Sequence, residues 1–275
     1  MMKIITDLNL EKTLFCGQFF RVKTREEAYE IYFKDQRILA RQGKGFIEVQ
    51  GTCPEDELEK FFDLDRDYGK IRSSLEKDPL LKKPLEEARG IHILGQHPWE
   101  VLISFILSQN SNITRIRTNL FALCQEYGPR KEDAYGTYYG FPSPQDLAQV
   151  TREDYREKIR VGYRDKYLEE ATSQVLREAP SLEAIGKLKD SQDRLRELTR
   201  FFGVGEKVAH CILLFGYQDF SAFPIDVWMK RILMDHYGLE AKKDYYSLGQ
   251  KLFSPYPGYA QQALFYYSKN HKLGG

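Results

Sequence analysis

The stretch that decides the fold of this chain runs from Gly203 to Cys211 and reads Gly-Val-Gly-Glu-Lys-Val-Ala-His-Cys. Two glycines separated by one residue predict a tight turn, and the residues after them predict a helix that opens at this turn. The unpaired backbone N–H groups at such a helix start can hold a phosphate. Lys207 lies in the first helical turn, where the positive end of the helix dipole favours an uncharged amine. We therefore expect a phosphate site beside a nucleophilic amine.

A carboxylate follows on a separate segment, Phe223-Pro224-Ile225-Asp226. Because proline bounds this loop, Asp226 arrives beside the helix from outside it and can orient or assist the amine. Phosphate binding next to an activated amine points to chemistry on DNA at a sugar carbon. The alternative is a surface lysine and a helix-capping aspartate, which is the commoner role of either residue alone.

Composition limits the class of protein. The 275 residues suffice for one large domain or two modest ones, and 42% apolar with 29% charged residues is ordinary for a soluble globular protein. The sequence contains no signal-peptide core and no apolar stretch of membrane-spanning length, so we expect a cytoplasmic protein, or a nuclear one in a eukaryote. A net charge of +1 lacks the basic excess of many nucleic-acid binders, although a local positive face or backbone amides can still bind phosphate.

The four cysteines are dispersed and have no short metal-ligand spacing. This pattern predicts reduced, buried thiols rather than a zinc site, an iron–sulfur cluster or disulfides. Their positions are Cys16, Cys53, Cys124 and Cys211.

Short apolar runs before residue 65 predict an antiparallel meander, with strands at Ala28–Phe33, Arg37–Ala40 and Phe46–Val49. From about residue 65 onward the pattern predicts helices throughout, including helices over roughly 144–178 and 181–201. We therefore predict an α+β fold with an N-terminal antiparallel sheet domain over 1–96 and a helical domain over 97–275.

Five stretches in chain order resemble the helix-hairpin-helix–GPD superfamily of DNA base-excision glycosylases, and more narrowly the 8-oxoguanine DNA glycosylases. The resemblance implies a twisted antiparallel sheet of the TATA-box-binding-protein type with flanking helices, packed on a larger helical domain. It also implies a bifunctional glycosylase and lyase. The five stretches are Gly17–Arg21, Ser104–Ile113, Phe202–Cys211, Pro224–Val227 and Gly258–Phe265.

By this resemblance, Lys207 attacks C1′ of the damaged nucleotide and expels the base. The resulting Schiff base then permits β-elimination of the 3′ phosphate. Asp226 would stabilise the positive charge that develops on the sugar.

The resemblance also implies a pocket for a flipped base. Cys211 and Phe265 would cover its two faces, and Gln261 would bind its Watson–Crick edge. Gly17 would accept a hydrogen bond from the N7–H that 8-oxoguanine has and guanine lacks. Each of these residues has an alternative interpretation as a core, surface or turn residue.

Other residues would contact the rest of the duplex. Asn110 would fill the gap left by the flipped base, whereas Arg115, Tyr163 and Arg164 would wedge the duplex and contact an opposite cytosine. The alternative is that Asn110 or Asn112 caps a helix and that the arginines form surface ion pairs. Phosphate contacts would come from Gly203, Gly205, Val208 and Trp228.

The resemblance implies no required cofactor. It would allow the hairpin carbonyls of Thr199, Phe201 and Val204 to bind a monovalent or calcium ion. The implied partner is double-stranded DNA with 8-oxoguanine opposite cytosine, bound by a monomer that does not contact a membrane. Phe202 and His210 depart from the family pattern, which has proline and an acidic residue at these positions.

Two other functions fit parts of the pattern. One is a glycosylase of the same superfamily that removes alkylated bases, which an open aromatic pocket would favour. The other is a helix-hairpin-helix module that binds DNA without chemistry, which would have no use for Lys207 or Asp226.

Overall fold

The computed structural model describes residues 2–51, 53–238 and 244–271. It has the predicted α+β architecture, in which an N-terminal sheet is followed by a larger helical region. The strands are β1 (Met2–Ile5), β2 (Val22–Arg25), β3 (Ala28–Phe33), β4 (Gln36–Gly43), β5 (Phe46–Gly51), β6 (Arg130–Asp133) and β7 (Gly136–Tyr139). The helices are α1 (Leu10–Phe15), α2 (Glu55–Phe62), α3 (Tyr68–Leu75), α4 (Lys82–Glu87), α5 (Pro98–Ser108), α6 (Ile113–Tyr127), α7 (Arg152–Glu157), α8 (Asp165–Leu176), α9 (Leu182–Lys187), α10 (Ser191–Leu198), α11 (Glu206–Gly216), α12 (Val227–Tyr237), α13 (Tyr245–Phe253) and α14 (Pro257–His271).

The first five strands form one antiparallel sheet with the order β1-β5-β4-β3-β2. The predicted meander is confirmed as β3, β4 and β5, and in its register Ile31 pairs with Ile38. Alternation along β5 directs Ile47 and Val49 into a core that α1 and α2 cover. This sheet therefore has an apolar face of its own.

The helical region is built around α5 and α11, which pack against each other. Nearly every residue of α5 is buried, and Phe105 of α5 stacks on Phe215 of α11 at a centroid distance of 5.4 Å. Because α11 begins at the glycine turn, this packing fixes the direction in which its first turn points.

The hydrophobic cores do not divide at the predicted domain boundary. Helices α3 and α4, which precede residue 97, contribute Tyr68, Ile71 and Leu85 to the core of the helical region. Cys16 and Phe20, between α1 and β2, also belong to that core. The N-terminal chain therefore supplies part of the wall against which the C-terminal helices pack.

Among the described residues after 65, the prediction that all regular structure is helical was wrong between α6 and α7. Strands β6 and β7 form a two-stranded hairpin after α6. Their charged residues alternate poorly with apolar ones, so the period that identifies a strand is weak there. The ranges 144–178 and 181–201, predicted to be covered by helices, contain two α-helices each. Arg160 and Gly162 adopt positive φ between α7 and α8, and Asp190 caps α10 after the end of α9.

All four cysteines are unpaired and buried. Within the described ranges, no helix combines the length and apolarity needed to cross a membrane.

Candidate active site

A cleft of about 1250 Å³ lies between the N-terminal segment near Gly17, the α5–α6 loop, the start of α11 and helix α14. Residues from five separate stretches of the sequence line it. They include both predicted catalytic residues, the four predicted base-pocket residues and some of the predicted DNA contacts: Gly17, Asn110, Gly205, Lys207, Val208, Cys211, Asp226, Trp228, Gln261 and Phe265.

The glycine turn joins α10 to α11 and forms a helix-hairpin-helix. Gly203 has φ +84, which favours glycine, and a Cβ here would lie 2.5 Å from the ring of Tyr167. Gly205 is the N-cap of α11 and, having no side chain, leaves the first N–H groups of the helix without a side-chain cap. One of these groups belongs to Val208. This helix start is therefore a ready anion site.

Lys207 lies half-buried on the face of α11 that points into the cleft. Its ammonium nitrogen is 5.5 Å from the centroid of the Phe105 ring. Burial raises the pKa of the Cys211 thiol, one turn along the helix, and the nearby Lys207 amine opposes that shift. Cys211 therefore presents a neutral, polarisable sulfur beside the amine.

Asp226 follows the buried segment Phe223–Ile225 and is the N-cap of α12. Its Oδ1 accepts a hydrogen bond of 2.8 Å from the N–H of Met229. Asp226 therefore does cap a helix, which was the alternative role for it. Its carboxylate also lines the cleft with Lys207. Capping holds the carboxylate in place without removing it from the cleft.

Gln261, Phe265 and Gly17 meet on one side of the cleft. Gln261 is only 6% exposed, and its Oε1 has no hydrogen-bond partner within the described part of the chain. Gly17 has φ +93, and a Cβ at this position would lie 3.0 Å from the edge of the Phe265 ring. The cleft therefore contains an unpaired amide oxygen, an aromatic face and a backbone segment that only glycine fits.

The α5–α6 loop carries Asn110 at positive φ, with its side chain exposed. Asn112, not Asn110, caps α6, since its side chain accepts from the N–H of Arg115 at 2.9 Å. The Arg115 guanidinium donates to the Arg160 carbonyl at 3.3 Å and is otherwise exposed. Asn110 is therefore free of the capping role that was the alternative for it.

Tyr163 and Arg164 lie beside this loop but differ in exposure. The Tyr163 ring is 47% exposed, and its hydroxyl donates to the Gln109 carbonyl at 3.3 Å. Arg164 is buried, and its guanidinium donates to the carbonyls of Gln109 and Asn110. In this state Arg164 supports the loop from beneath, and its contact with an opposite base remains a prediction.

The remaining predicted residues lie at the rim. Trp228 is 40% exposed at the start of α12, where its indole faces solvent near the cleft. The hairpin carbonyls of Thr199, Phe201 and Val204 lie between α10 and α11, and that of Phe201 accepts from the N–H of Val204 at 3.0 Å. A carbonyl oxygen has a second lone pair, so an ion there stays a prediction. The described residues contain no group of three or more His, Cys, Asp or Glu placed to hold a metal.

Three site residues were not predicted from the sequence. Gln109 links the loop to the hairpin, because its Nε2 donates to the Gly203 carbonyl at 3.0 Å. His210 accepts a hydrogen bond from the N–H of Phe223, three residues before Asp226. Gln262 donates to the Cys16 carbonyl, next to Gly17. Each acts through a long-range backbone contact, for which a single sequence contains no signal.

The fold and the site together define a class of protein: a helix-hairpin-helix protein in which a lysine and an aspartate line a cleft at the hairpin. A family model described as "8-oxoguanine DNA glycosylase, N-terminal domain" matches residues 2–102. A second, described as "HhH-GPD superfamily base excision DNA repair protein", matches residues 103–257.

Solved and curated relatives agree with these matches. The crystal structure of Clostridium acetobutylicum 8-oxoguanine glycosylase/lyase, in complex with dsDNA containing cytosine opposite to 8-oxoG, has a TM-score of 0.91 at 33% identity. It covers 98% of this chain and 94% of that one. The N-glycosylase/DNA lyase OGG1 of Arabidopsis thaliana is 31% identical over 94% of this chain and 77% of its own length. The N-glycosylase/DNA lyase of Saccharomyces cerevisiae is 34% identical over 57% of this chain, and the matched part spans 44% of its length.

The chain therefore belongs to the 8-oxoguanine DNA glycosylase family of the helix-hairpin-helix–GPD superfamily, the DNA glycosylases of base excision repair. The family and the fold class predicted from the sequence are confirmed.

Proposed function

We propose that this enzyme excises 8-oxoguanine from duplex DNA through the amine of Lys207 and then cleaves the strand by β-elimination. One observation carries the proposal: Lys207, Asp226 and the four base-pocket residues converge on a single cleft next to a helix start with unpaired N–H groups. If these six residues were ordinary core or surface residues, there would be no reason for all of them to meet in one cleft.

The reaction balances with groups that the chain and the substrate supply. The neutral amine of Lys207 attacks C1′, and the glycosidic bond breaks with its electron pair on the departing base. The sugar ring then opens to a Schiff base between Lys207 and C1′. Loss of a proton from C2′ expels the 3′ phosphate by β-elimination, and water hydrolyses the Schiff base to release the enzyme. These steps need only the Lys207 amine, a proton acceptor and water, so we propose that no cofactor takes part.

Asp226 has an electrostatic role in this scheme. Positive charge develops on the sugar as the base departs, and a carboxylate held in the cleft stabilises that charge. The hydrogen bond from Met229 N–H supports this role, because it holds the carboxylate in one orientation.

The pocket residues favour a guanine-type base. The unpaired Oε1 of Gln261 suits a base that donates hydrogen bonds from its Watson–Crick edge, as guanine does at N1 and N2. Cys211 offers a polarisable sulfur to one face and Phe265 a flat aromatic ring to the other. The Gly17 carbonyl would accept from the N7–H of the lesion, whereas guanine presents a second acceptor there.

We propose double-stranded DNA with 8-oxoguanine opposite cytosine as the substrate. The exposed Asn110, Tyr163 and Arg115 lie together beside the cleft, where they would fill the gap and contact the orphan base. The phosphates flanking the lesion would meet the N–H groups of Gly205 and Val208 and the indole N–H of Trp228. An ion on the hairpin carbonyls would add to this phosphate site.

Borohydride trapping on a duplex with 8-oxoguanine opposite cytosine tests the proposal. Wild type should give a covalent protein–DNA adduct, because borohydride reduces the Schiff base to a stable amine. Lys207→Gln should give none, and Asp226→Asn should slow trapping by about 100-fold, a loss typical of removing one catalytic group.

Lys230→Gln is the matched control, since Lys230 lines the rim of the same cleft and contacts the ring of Tyr245. It should still be trapped. Release of 8-oxoguanine without an adduct would remove Lys207 from its role, and neither release nor adduct would favour an alkylated base or a non-catalytic binding module.

A further inference from the structure

The backbone around Gly17 is held by side chains on both sides of the glycine. The Phe15 carbonyl accepts from Lys269 Nζ at 3.3 Å, the Cys16 carbonyl from Gln262 Nε2 at 3.0 Å, and the Gln18 carbonyl from Gln96 Nε2 at 2.9 Å. Within the described ranges, no donor binds the carbonyl of Gly17 itself. The segment therefore presents an open acceptor between carbonyls that are already occupied.

Of these three hydrogen bonds, the one from Gln262 to the Cys16 carbonyl acts most directly on the orientation of Gly17. The Cys16 carbonyl belongs to the peptide unit that supplies the N–H of Gly17, so its orientation helps to set the φ of that residue. Gln262 is 2% exposed and Cys16 is fully buried, so the hydrogen bond is shielded from solvent and its loss would be costly. The bond joins residues 246 positions apart in the sequence.

Two adjacent residues of helix α14, Gln261 and Gln262, point in different directions and have different roles. Successive helical residues point about 100° apart, so Gln261 can face the base while Gln262 faces the Gly17 segment. Phe265, one turn further along, packs against Gly17. The helix that would bind the base therefore also holds the backbone that would bind its N7–H.

We propose that Gln262 is a specificity-determining positioning residue, which aims the Gly17 carbonyl at the lesion by holding the Cys16–Gly17 peptide. The inference rests on the proposed function and adds a residue to it. A glycine at φ +93 has wide conformational freedom, and a hydrogen bond to a freely moving carbonyl loses its directional preference. Without Gln262, the enzyme should keep its amine chemistry and lose selectivity for the lesion.

The experiment compares two activities of Gln262→Met, which keeps the length of the side chain and removes the donor. Excision of 8-oxoguanine under single-turnover conditions should fall roughly tenfold, the worth of one directed hydrogen bond. Cleavage of an abasic site should change by less than about twofold, because that substrate has no base to meet Gly17. The matched control is Gln42→Met, which removes a glutamine bonded to the Leu8 carbonyl in the N-terminal sheet and should leave the ratio of the two activities unchanged.

Gln262→Glu separates positioning from simple loss of packing. A protonated carboxyl can donate to the Cys16 carbonyl and an ionised one cannot, and burial favours the protonated form. Excision by this variant should therefore recover towards wild type as pH is lowered, relative to its own abasic-site cleavage, whereas Gln262→Met should show no such recovery.

Equal losses of both activities in Gln262→Met, or no loss of either, would overturn the inference. So would an unchanged preference for 8-oxoguanine over guanine duplex in binding by the Lys207→Gln enzyme after Gln262→Met is added. A wild-type enzyme that cleaves abasic sites and ignores 8-oxoguanine would instead overturn the proposed lesion, and this inference with it.

Discussion

His210 holds the segment that carries Asp226, and it does so as a neutral ring. Its Nδ1 accepts a hydrogen bond from the N–H of Phe223 at 3.1 Å, so the proton of the ring lies on Nε2. The ring stacks on Tyr246 at a centroid distance of 4.5 Å and an interplanar angle of 13°. Burial lowers the pKa of His210 to about 4, against a smaller opposing effect of Asp219. A protonated ring would lose the acceptor and place a charge in the core.

This shift predicts a pH dependence of stability. Between pH 6.5 and about 4 the unfolded chain binds a proton at residue 210 and the folded chain does not, so stability falls as pH is lowered through this window. The loss amounts to about 3 kcal/mol at most. His210→Asn keeps an acceptor for Phe223 and cannot titrate, so its free energy of unfolding should change less with pH over this range.

Urea unfolding at several pH values measures this difference. Burial also lowers the pKa of His97, so wild type and variant share that contribution and only their difference reports His210. Parallel pH profiles for the two proteins would contradict the prediction.

At the scale of elements, the helix-hairpin-helix depends on one glycine more than on the other. Gly203 adopts positive φ and lies against the Tyr167 ring, whereas Gly205 has φ −86 and open space where a Cβ would be. Gln109 ties the same turn to the α5–α6 loop through the Gly203 carbonyl. The turn therefore sets both the proposed phosphate site and the position of the loop that would enter the duplex.

Gly203→Ala should destabilise the protein by about 2 kcal/mol, from the positive φ and the displaced Tyr167 ring together. Gly205→Ala is the matched variant and should cost less than about 1 kcal/mol, the difference between glycine and alanine at an N-cap. Thermal unfolding of the two variants gives the comparison. Similar losses for both would show that the turn tolerates a side chain at residue 203.

At the scale of the whole molecule, a buried ion pair joins the sheet region to the helices. Arg21 and Glu100 lie 3.3 Å apart, and both side chains are less than a tenth exposed. The Arg21 guanidinium also donates to the carbonyls of Lys34 and Tyr139, so it connects the sheet, α5 and the β6–β7 hairpin. Burial raises the pKa of Glu100, and the neighbouring arginine opposes that rise.

Arg21→Met should lower the free energy of unfolding by about 3 kcal/mol, because it removes the only cation paired with the buried Glu100 carboxylate in the described structure, and with it the guanidinium bonds to two carbonyls. Adding Glu100→Gln should recover part of the loss, since the carboxyl is the costliest of these groups. Urea unfolding of the single and double variants tests the coupling. Lys60→Met, which breaks an exposed pair with Asp56, serves as control and should have no measurable effect. A double variant as unstable as the single one would contradict this account.

The sequence alone determined the features that depend on local backbone chemistry. The turn at Gly203, the helix after it and the three strands predicted between Ala28 and Val49 follow from glycine's freedom at positive φ and from apolar spacing. The resemblance then placed Lys207, Asp226 and the pocket residues in one site. The turn, the helix and the strands could be predicted because residues close in sequence specify them.

Only the tertiary structure decided which distant groups meet and what each group is free to do. In the folded chain the Arg164 guanidinium binds the loop carbonyls and Gln262 binds the Cys16 carbonyl. The β6–β7 hairpin lies against Arg21. The physical reason is that periodicity reports the conformation and buried face of a segment, whereas the partner of a buried donor is chosen when the segments pack. The sequence of one chain does not indicate which partner a buried donor will find.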